Sequence, residues 1–210
     1  MGIIADPNTG PVTYDLEARE RQITGDGPRY APLKPEETSE EARAALKEIK
    51  TAFGIPADSP IPDVSLITLR HPGMFRGQMA MGIELAARGT IPPRERELAI
   101  LRVAILCGAA FEWAEHVAIG RKVGLDDAEI ERVLSGSSAD GWTSHEAALL
   151  RGVEELIADK CLSDETWSTL EQSWGEQQLI ELPMLVGAYM MTALQHNSLR
   201  IQPRGGFDYR

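Results

Sequence analysis

The sequence predicts an all-α protein, and three observations predict it. Apolar residues recur with helical spacing, and no period-two alternation of any length appears. Gly, Pro and Ser/Thr/Asp clusters fall between the periodic segments, where helix starts and stops belong. The segment 94–106 is apolar on nearly every side, through Leu98, Ala99, Ile100, Leu101, Val103, Ala104, Ile105 and Leu106. A helix of that kind is one that other helices bury.

Each element follows from local signals. Residues 1–35 are rich in Gly, Pro, Asp and Thr without a sustained apolar period. They read as an extended arm that wraps a neighbouring subunit or is loosely ordered, with Tyr14 and Tyr30 able to pin it to a surface. Thr38 or Ser39 caps a helix over 40–53, and Gly54 and Pro56 stop it. A short helix over 64–70 ends near His71-Pro72. A longer one over 73–88 carries Met74, Met79, Met81, Ile83 and Leu85. Pro92 and Pro93 then suit the start of the central pair, 94–106 and 109–122, joined at Cys107-Gly108. Asp126 or Asp127 caps a short helix to 134, and 135–143 is a loop. Ser144 caps a helix over 145–159, and Ser163 caps one over 164–174. The last helix spans 176–199, kinked or interrupted at Pro183. Residues 36–200 therefore form one domain between the arm and a tail at 201–210. An internal echo, E-R-E-L-A-I-L before His116 and E-Q-Q-L-I-E-L before His196, points to a duplicated helical hairpin.

Composition bounds the function. The chain has 210 residues, 43% of them hydrophobic and 25% charged, as in ordinary globular proteins. A net charge of -11 gives a nucleic-acid role no electrostatic footprint. The first residues lack a basic start and an apolar run of signal length, and the longest apolar stretch, 182–194, is too short to span a bilayer. A cytoplasmic protein is expected. Cys107 and Cys161 match no metal or redox spacing and read as reduced thiols.

Glu97, Glu112 and His116 are the leading catalytic candidates. Glu112 and His116 stand four apart and so share a helix face, while Glu97 begins the buried helix. Polar groups in such surroundings are either paired for structure or kept for chemistry. Glu112 would orient the imidazole and Glu97 would be a second acid or base. Glu and His at this spacing offer two metal ligands, but no third follows, so no metal is expected. Trp113 reads as core or as a substrate platform. Arg94, Arg96 and Arg102 read as carboxylate binders or helix-pairing charges. Tyr189 and His196, with Gln195 and Asn197, form a polar cluster that either lines the same pocket or caps the last helix. His71 reads as a turn residue and His145 as an exposed one.

The blocks R-E-R-E-L-x-I-L, C-G-A, F-E-W-A-E-H and G-R-K-V-G-L-D-D-A-E-I keep their order over about 45 residues. This block resembles the core of the carboxymuconolactone decarboxylase family, which includes the alkylhydroperoxidase D-like proteins. The flanking R-H-P-G-M-F, A-A-L-L-R-G-V-E-E-L and Q-Q-L-I-E-L resemble its longer, roughly 200-residue members. The redox branch would place a Cys-x-x-Cys pair ahead of the histidine; Ala109 and Glu112 stand there instead. Its catalytic acid aligns with Glu97.

The resemblance implies an alkylhydroperoxidase D-like helical bundle and a lyase-type, decarboxylase-like activity in aromatic-compound catabolism. The small-molecule substrate would be a lactone or cyclic carboxylic acid, worked on without cofactor, flavin or nicotinamide. His116 would move the proton, and Arg94, Trp113, Tyr189 and His196 would contact substrate. It also implies a homo-oligomer, a trimer or hexamer, with a dimer open for this longer form. Two other readings are a non-catalytic oligomeric scaffold or small-molecule binder, and peroxide reduction by Cys107 alone.

Overall fold

A helix apolar all round needs neighbours on every side, and α5 (Pro93–Leu106) has them. The computed structural model describes residues 16–202. In it, α5 packs against α6 (Ala110–Lys122), α7 (Asp127–Ser135), α8 (Ser144–Ala158) and α10 (Glu176–Leu199). Leu98, Leu101, Leu149, Leu150, Leu182 and Leu185 meet in the core with no solvent exposure. Each such side chain contributes about 1.5–3 kcal/mol by leaving water. A short helix, α9 (Asp164–Glu171), lies on α8. Upstream come α1 (Leu16–Thr24), α2 (Glu40–Ala52), α3 (Asp63–Thr68) and α4 (Pro72–Ala86). Leu33, Ala42, Ala45, Leu69 and Phe75 make a second, smaller core there, and α4 joins it to α10. The described residues contain no strand.

Capping explains most of the boundaries. Ser39 accepts from the Ala42 N–H, and Ser163 from the Thr166 N–H. Asp126 and Glu129 satisfy each other's backbone N–H groups in a capping box at α7. The expected cap at Ser144 is corrected to Thr143, because Glu146 completes a box with Thr143 one residue earlier. The interval 135–143 holds a single 3-10 turn, Gly136–Ser138. The last helix runs without interruption through Pro183, so the expected break there is corrected. Pro183 is exposed, and burial of Leu179, Leu182, Leu185 and Val186 on either side holds the turns that its missing N–H weakens.

The expected extended arm is corrected over its described residues, 16–35. Residues 16–24 are helical, and α1 lies against α6 and α10 of the same chain. The Arg29 N–H donates to the Leu199 carbonyl at 3.0 Å. The charged sequence of α1 carries no clear apolar period, so its helicity was hidden from pattern reading. Tyr30 is exposed beneath the Arg70 guanidinium, 5.5 Å from its ring centroid. Tyr14 and most of the 201–210 tail lie outside the described residues.

Arg102 ties three elements together. It is 3% exposed; its Nε donates to Glu154 Oε1 at 2.8 Å and its Nη1 to the Val133 and Leu134 carbonyls at 3.0 and 3.1 Å. Burial pushes its pKa down, and Glu154 opposes that shift. Gly136, at φ 77°, leaves the room: a Cβ there would lie 2.3 Å from Arg102 Nη2. The reading of Arg102 as a substrate binder is replaced by this structural role. Arg102→Met should lower unfolding free energy by about 3 kcal/mol, because it takes the buried cation away from Glu154, which keeps only its Ser137 donors. Urea titration checks this, and a loss below about 1 kcal/mol would contradict it.

Candidate active site

The site starts from α5 and α6. Pro93 begins α5, and Glu97 follows in its first turns with only 2% of its surface exposed. Cys107 ends that helix, and Gly108, at φ 57°, turns the chain into α6. The turn brings His116 back beside Glu97, with His116 Nδ1 2.7 Å from Glu97 Oε2. Arg96 donates from Nε to the other oxygen of Glu97 at 3.4 Å and from Nη1 to the Ala86 carbonyl at 3.2 Å. Glu97 therefore holds the imidazole, and Arg96 holds Glu97. The expectation that Glu112 orients His116 is corrected. Its Oε2 lies 3.9 Å from His116 Nε2, beyond hydrogen-bond length.

Glu112 has a closer partner on the last helix. Its Oε1 is hydrogen-bonded to His196 Nδ1, and both residues are buried. The four side chains thus alternate in a line: Glu97, His116, Glu112, His196. Tyr189, two turns before His196 on α10, sets its ring edge-on to His116, with centroids 5.0 Å apart. Burial first, then the charges of Glu97 and Glu112, raise the Tyr189 pKa above the ordinary phenol value, so its hydroxyl keeps its proton. Phe111 packs edge-on against His196 at 5.1 Å. Its position beside the Glu112–Trp113 pair is the only hint that the sequence held of this contact.

In the tautomer whose Nδ1–H donates to Glu97, His116 Nε2 presents a lone pair. No hydrogen bond from the described residues occupies it. When it takes a proton, carboxylates stand on both sides of the cation. That arrangement suits proton transfer at a bound molecule.

Other candidates lie elsewhere. Arg94 is held by Glu129 of α7 and by Glu146 of α8, whose Oε1 is 2.6 Å away. Burial alone would lower its pKa, but the two carboxylates raise it. Its expected substrate contact is replaced by this fork. Trp113 is 1% exposed within the core and is not a platform, though its Nε1 has no hydrogen-bond partner. His71 caps α4 through Nδ1, which accepts from the Met74 N–H at 3.3 Å. His145 is half-buried rather than exposed, because Glu95 Oε2 stands 3.1 Å from its Nε2 and also accepts from Trp174. Asn197 donates to the carbonyls of Cys107 and Gly108 at 3.3 and 3.4 Å. No group of three His, Cys, Asp or Glu among the described residues is arranged to hold a metal ion. No described helix is long and apolar enough to cross a membrane.

Burial pushes the Cys107 thiol up to about 11, leaving it protonated at neutral pH. At pH 8, iodoacetamide should modify exposed Cys161 and leave Cys107 unmodified in the folded protein. Peptide mass mapping checks this, and equal labelling would restore Cys107 as a reactive thiol.

Residues 72–155 match the model of the carboxymuconolactone decarboxylase family. No curated protein matches the chain. Among solved structures, a protein of unknown function from Agrobacterium tumefaciens, proposed in its description as an antioxidant defence protein AhpD, is 22% identical with a TM-score of 0.59. The match covers 65% of this chain and 94% of that one. The debrominase Bmp8 is 13% identical with a TM-score of 0.60, over 83% of this chain and 91% of that one. A cysteine-to-alanine variant of Bmp8 with 2,3,4-tribromopyrrole is also 13% identical, with a TM-score of 0.62 over 86% and 94%. These likenesses establish the all-α AhpD-like fold.

Proposed function

We propose that this chain, whose residues 72–155 match the carboxymuconolactone decarboxylase family, is an enzyme of cofactor-independent acid–base chemistry. Its substrate is a small lactone or cyclic carboxylic acid, and the reaction is decarboxylation, isomerisation or ring opening. The observation that carries the reading is the buried Glu97–His116 pair with the second imidazole nitrogen left unbonded. Burying a carboxylate and an imidazole costs several kcal/mol, roughly, unless each is partnered.

In a decarboxylation, the bond to the departing carboxylate breaks and its electron pair moves into the ring carbonyl as a dienolate. CO2 leaves, and protonated His116 delivers a proton from Nε2 to carbon. Water returns that proton to the imidazole. In an isomerisation the same nitrogen first removes a proton beside the carbonyl, leaving a dienolate, and then delivers it to the far carbon of that dienolate, so that the double bond shifts. Glu97 fixes the ring and, with Glu112, stabilises the imidazolium; Tyr189 keeps a hydroxyl proton for donation to a developing oxyanion. Screening lactones and cyclic acids for turnover that depends on His116 tests the reading.

Self-association is part of the proposal. Ile180, Met184, Met191 and Leu194 follow one face of α10, and each is more than 40% exposed. A homo-oligomer would cover this stripe. Ile180→Glu with Met184→Glu should convert the assembly to a species near 23.0 kDa. Light scattering reads the change, and a wild-type mass near 23.0 kDa at micromolar concentration would refute association.

A further inference from the structure

A cavity of about 440 Å³ lies where α1 meets the end of α10 and the α5–α6 turn. Arg19, Arg29 and Arg200 line it. In this acidic chain other arginines find partners: Arg76, Arg88, Arg94, Arg121 and Arg151 pair with carboxylates, and Arg43 and Arg132 donate to carbonyls. No carboxylate of the described residues pairs with Arg19, Arg29 or Arg200. Among the described residues Arg19 donates to Gln22, at 2.8 Å, and its buried Nε has no hydrogen-bond partner.

The backbone makes room for these groups. Arg200 adopts φ 58° and ψ 45°, a left-handed cap conformation that disfavours a side-chain-bearing residue. Glycine would be the usual choice there; arginine instead projects a guanidinium into the cavity. Gly25 lies so close that a Cβ on it would stand 2.6 Å from Arg200 Nη1. At Gly108 a Cβ would stand 2.6 Å from Arg19 Nε. Ile23, Met190 and Ala193 supply an apolar wall.

We propose that this cavity binds a small organic anion, a carboxylate or phosphate carried on an apolar body, held by Arg19, Arg29 and Arg200 at a site apart from the Glu97–His116 pair. Guanidinium groups satisfy such oxyanions by charge-assisted, often bidentate, hydrogen bonds. Unlike a lone surface arginine, Arg19 has a buried N–H without a partner among the described residues, where a ligand oxyanion would satisfy it. The apolar wall selects against bare inorganic anions, and the neutral thiol of Cys107 adds no repelling charge.

Calorimetric titration of the full chain with benzoate, phenyl phosphate, inorganic phosphate and neutral benzamide tests this. Benzoate or phenyl phosphate should bind, and the tighter of the two identifies the head group. Benzamide and inorganic phosphate should each bind at least about tenfold more weakly, the scale of a lost charged hydrogen bond or a lost apolar contact. Arg200→Gln should weaken the preferred anion about tenfold or more. Arg29→Gln, at an exposed position, should weaken it as well. His116→Gln should leave that affinity unchanged, which separates this site from the proposed enzyme activity. Absence of binding by both organic anions overturns the proposal. So does affinity unchanged in both arginine variants, or inorganic phosphate binding as tightly as phenyl phosphate.

Discussion

His116→Gln lowers kcat by a factor of about 100 or more and leaves the protein folded. The factor is the scale of lost general acid–base catalysis. Glutamine fills similar space and can still donate toward Glu97, so the buried carboxylate is not stranded. It cannot take or give a proton at neutral pH. Glu97→Gln should have a smaller effect, about tenfold. The amide oxygen still accepts from Nδ1–H, but its neutral group no longer stabilises the imidazolium. The two changes together should cost less than the sum of their free energies, because the residues act as a unit. Turnover by folded His116→Gln at the wild-type rate would remove the support for catalysis. If substrate affinity survives in the same variant and no reaction is found in the parent protein, the small-molecule-binder reading gains instead.

His196→Leu gives the second large effect, and it falls on stability. Removing the imidazole leaves Glu112 buried with no hydrogen-bond donor, since His116 Nε2 lies 3.9 Å away. Leaving a buried carboxyl group without its hydrogen-bond partner costs about 3 kcal/mol. Glu112→Leu combined with His196→Leu should recover most of that loss, because an apolar pair replaces both polar groups together. The double variant should stay slow, having lost the carboxylate beside His116. Thermal unfolding beside turnover separates the two roles. A His196→Leu protein as stable as wild type would mean that Glu112 finds another partner.

The all-α fold was legible because α5 and α6 carry their signals locally. Leu98 to Leu106 need burial, and Pro93, Cys107 and Gly108 punctuate them within one or two residues of the observed ends. The Glu–His spacing on α6 was legible for the same reason. What pattern reading missed was which carboxylate meets which imidazole. Four-residue spacing brings Glu112 near His116, yet rotamers set by packing turn Glu112 toward His196, far away in sequence. Arg94 and Arg102 show the same difficulty. An arginine in a helix looks the same whether it awaits a substrate or grips a carboxylate from another helix. Only the positions of Glu129, Glu146 and Glu154 decide it. The helix α1 was hidden because its nine residues are mostly polar and sit within a stretch rich in turn-formers.

The last helix gives the site a divided inheritance. The family match ends at residue 155, while Tyr189 and His196 lie beyond it on α10. The motif segment therefore carries Glu97, Glu112 and His116 but not the α10 groups that meet them. Replacing α10, or exchanging residues at positions 189 and 196, would change what faces His116 and Glu112 while the Glu97–His116 pair stayed intact. Two chains with identical central motifs could then accept different molecules. Transfer of a substrate from one relative to another is sound only when the terminal helices have also been compared.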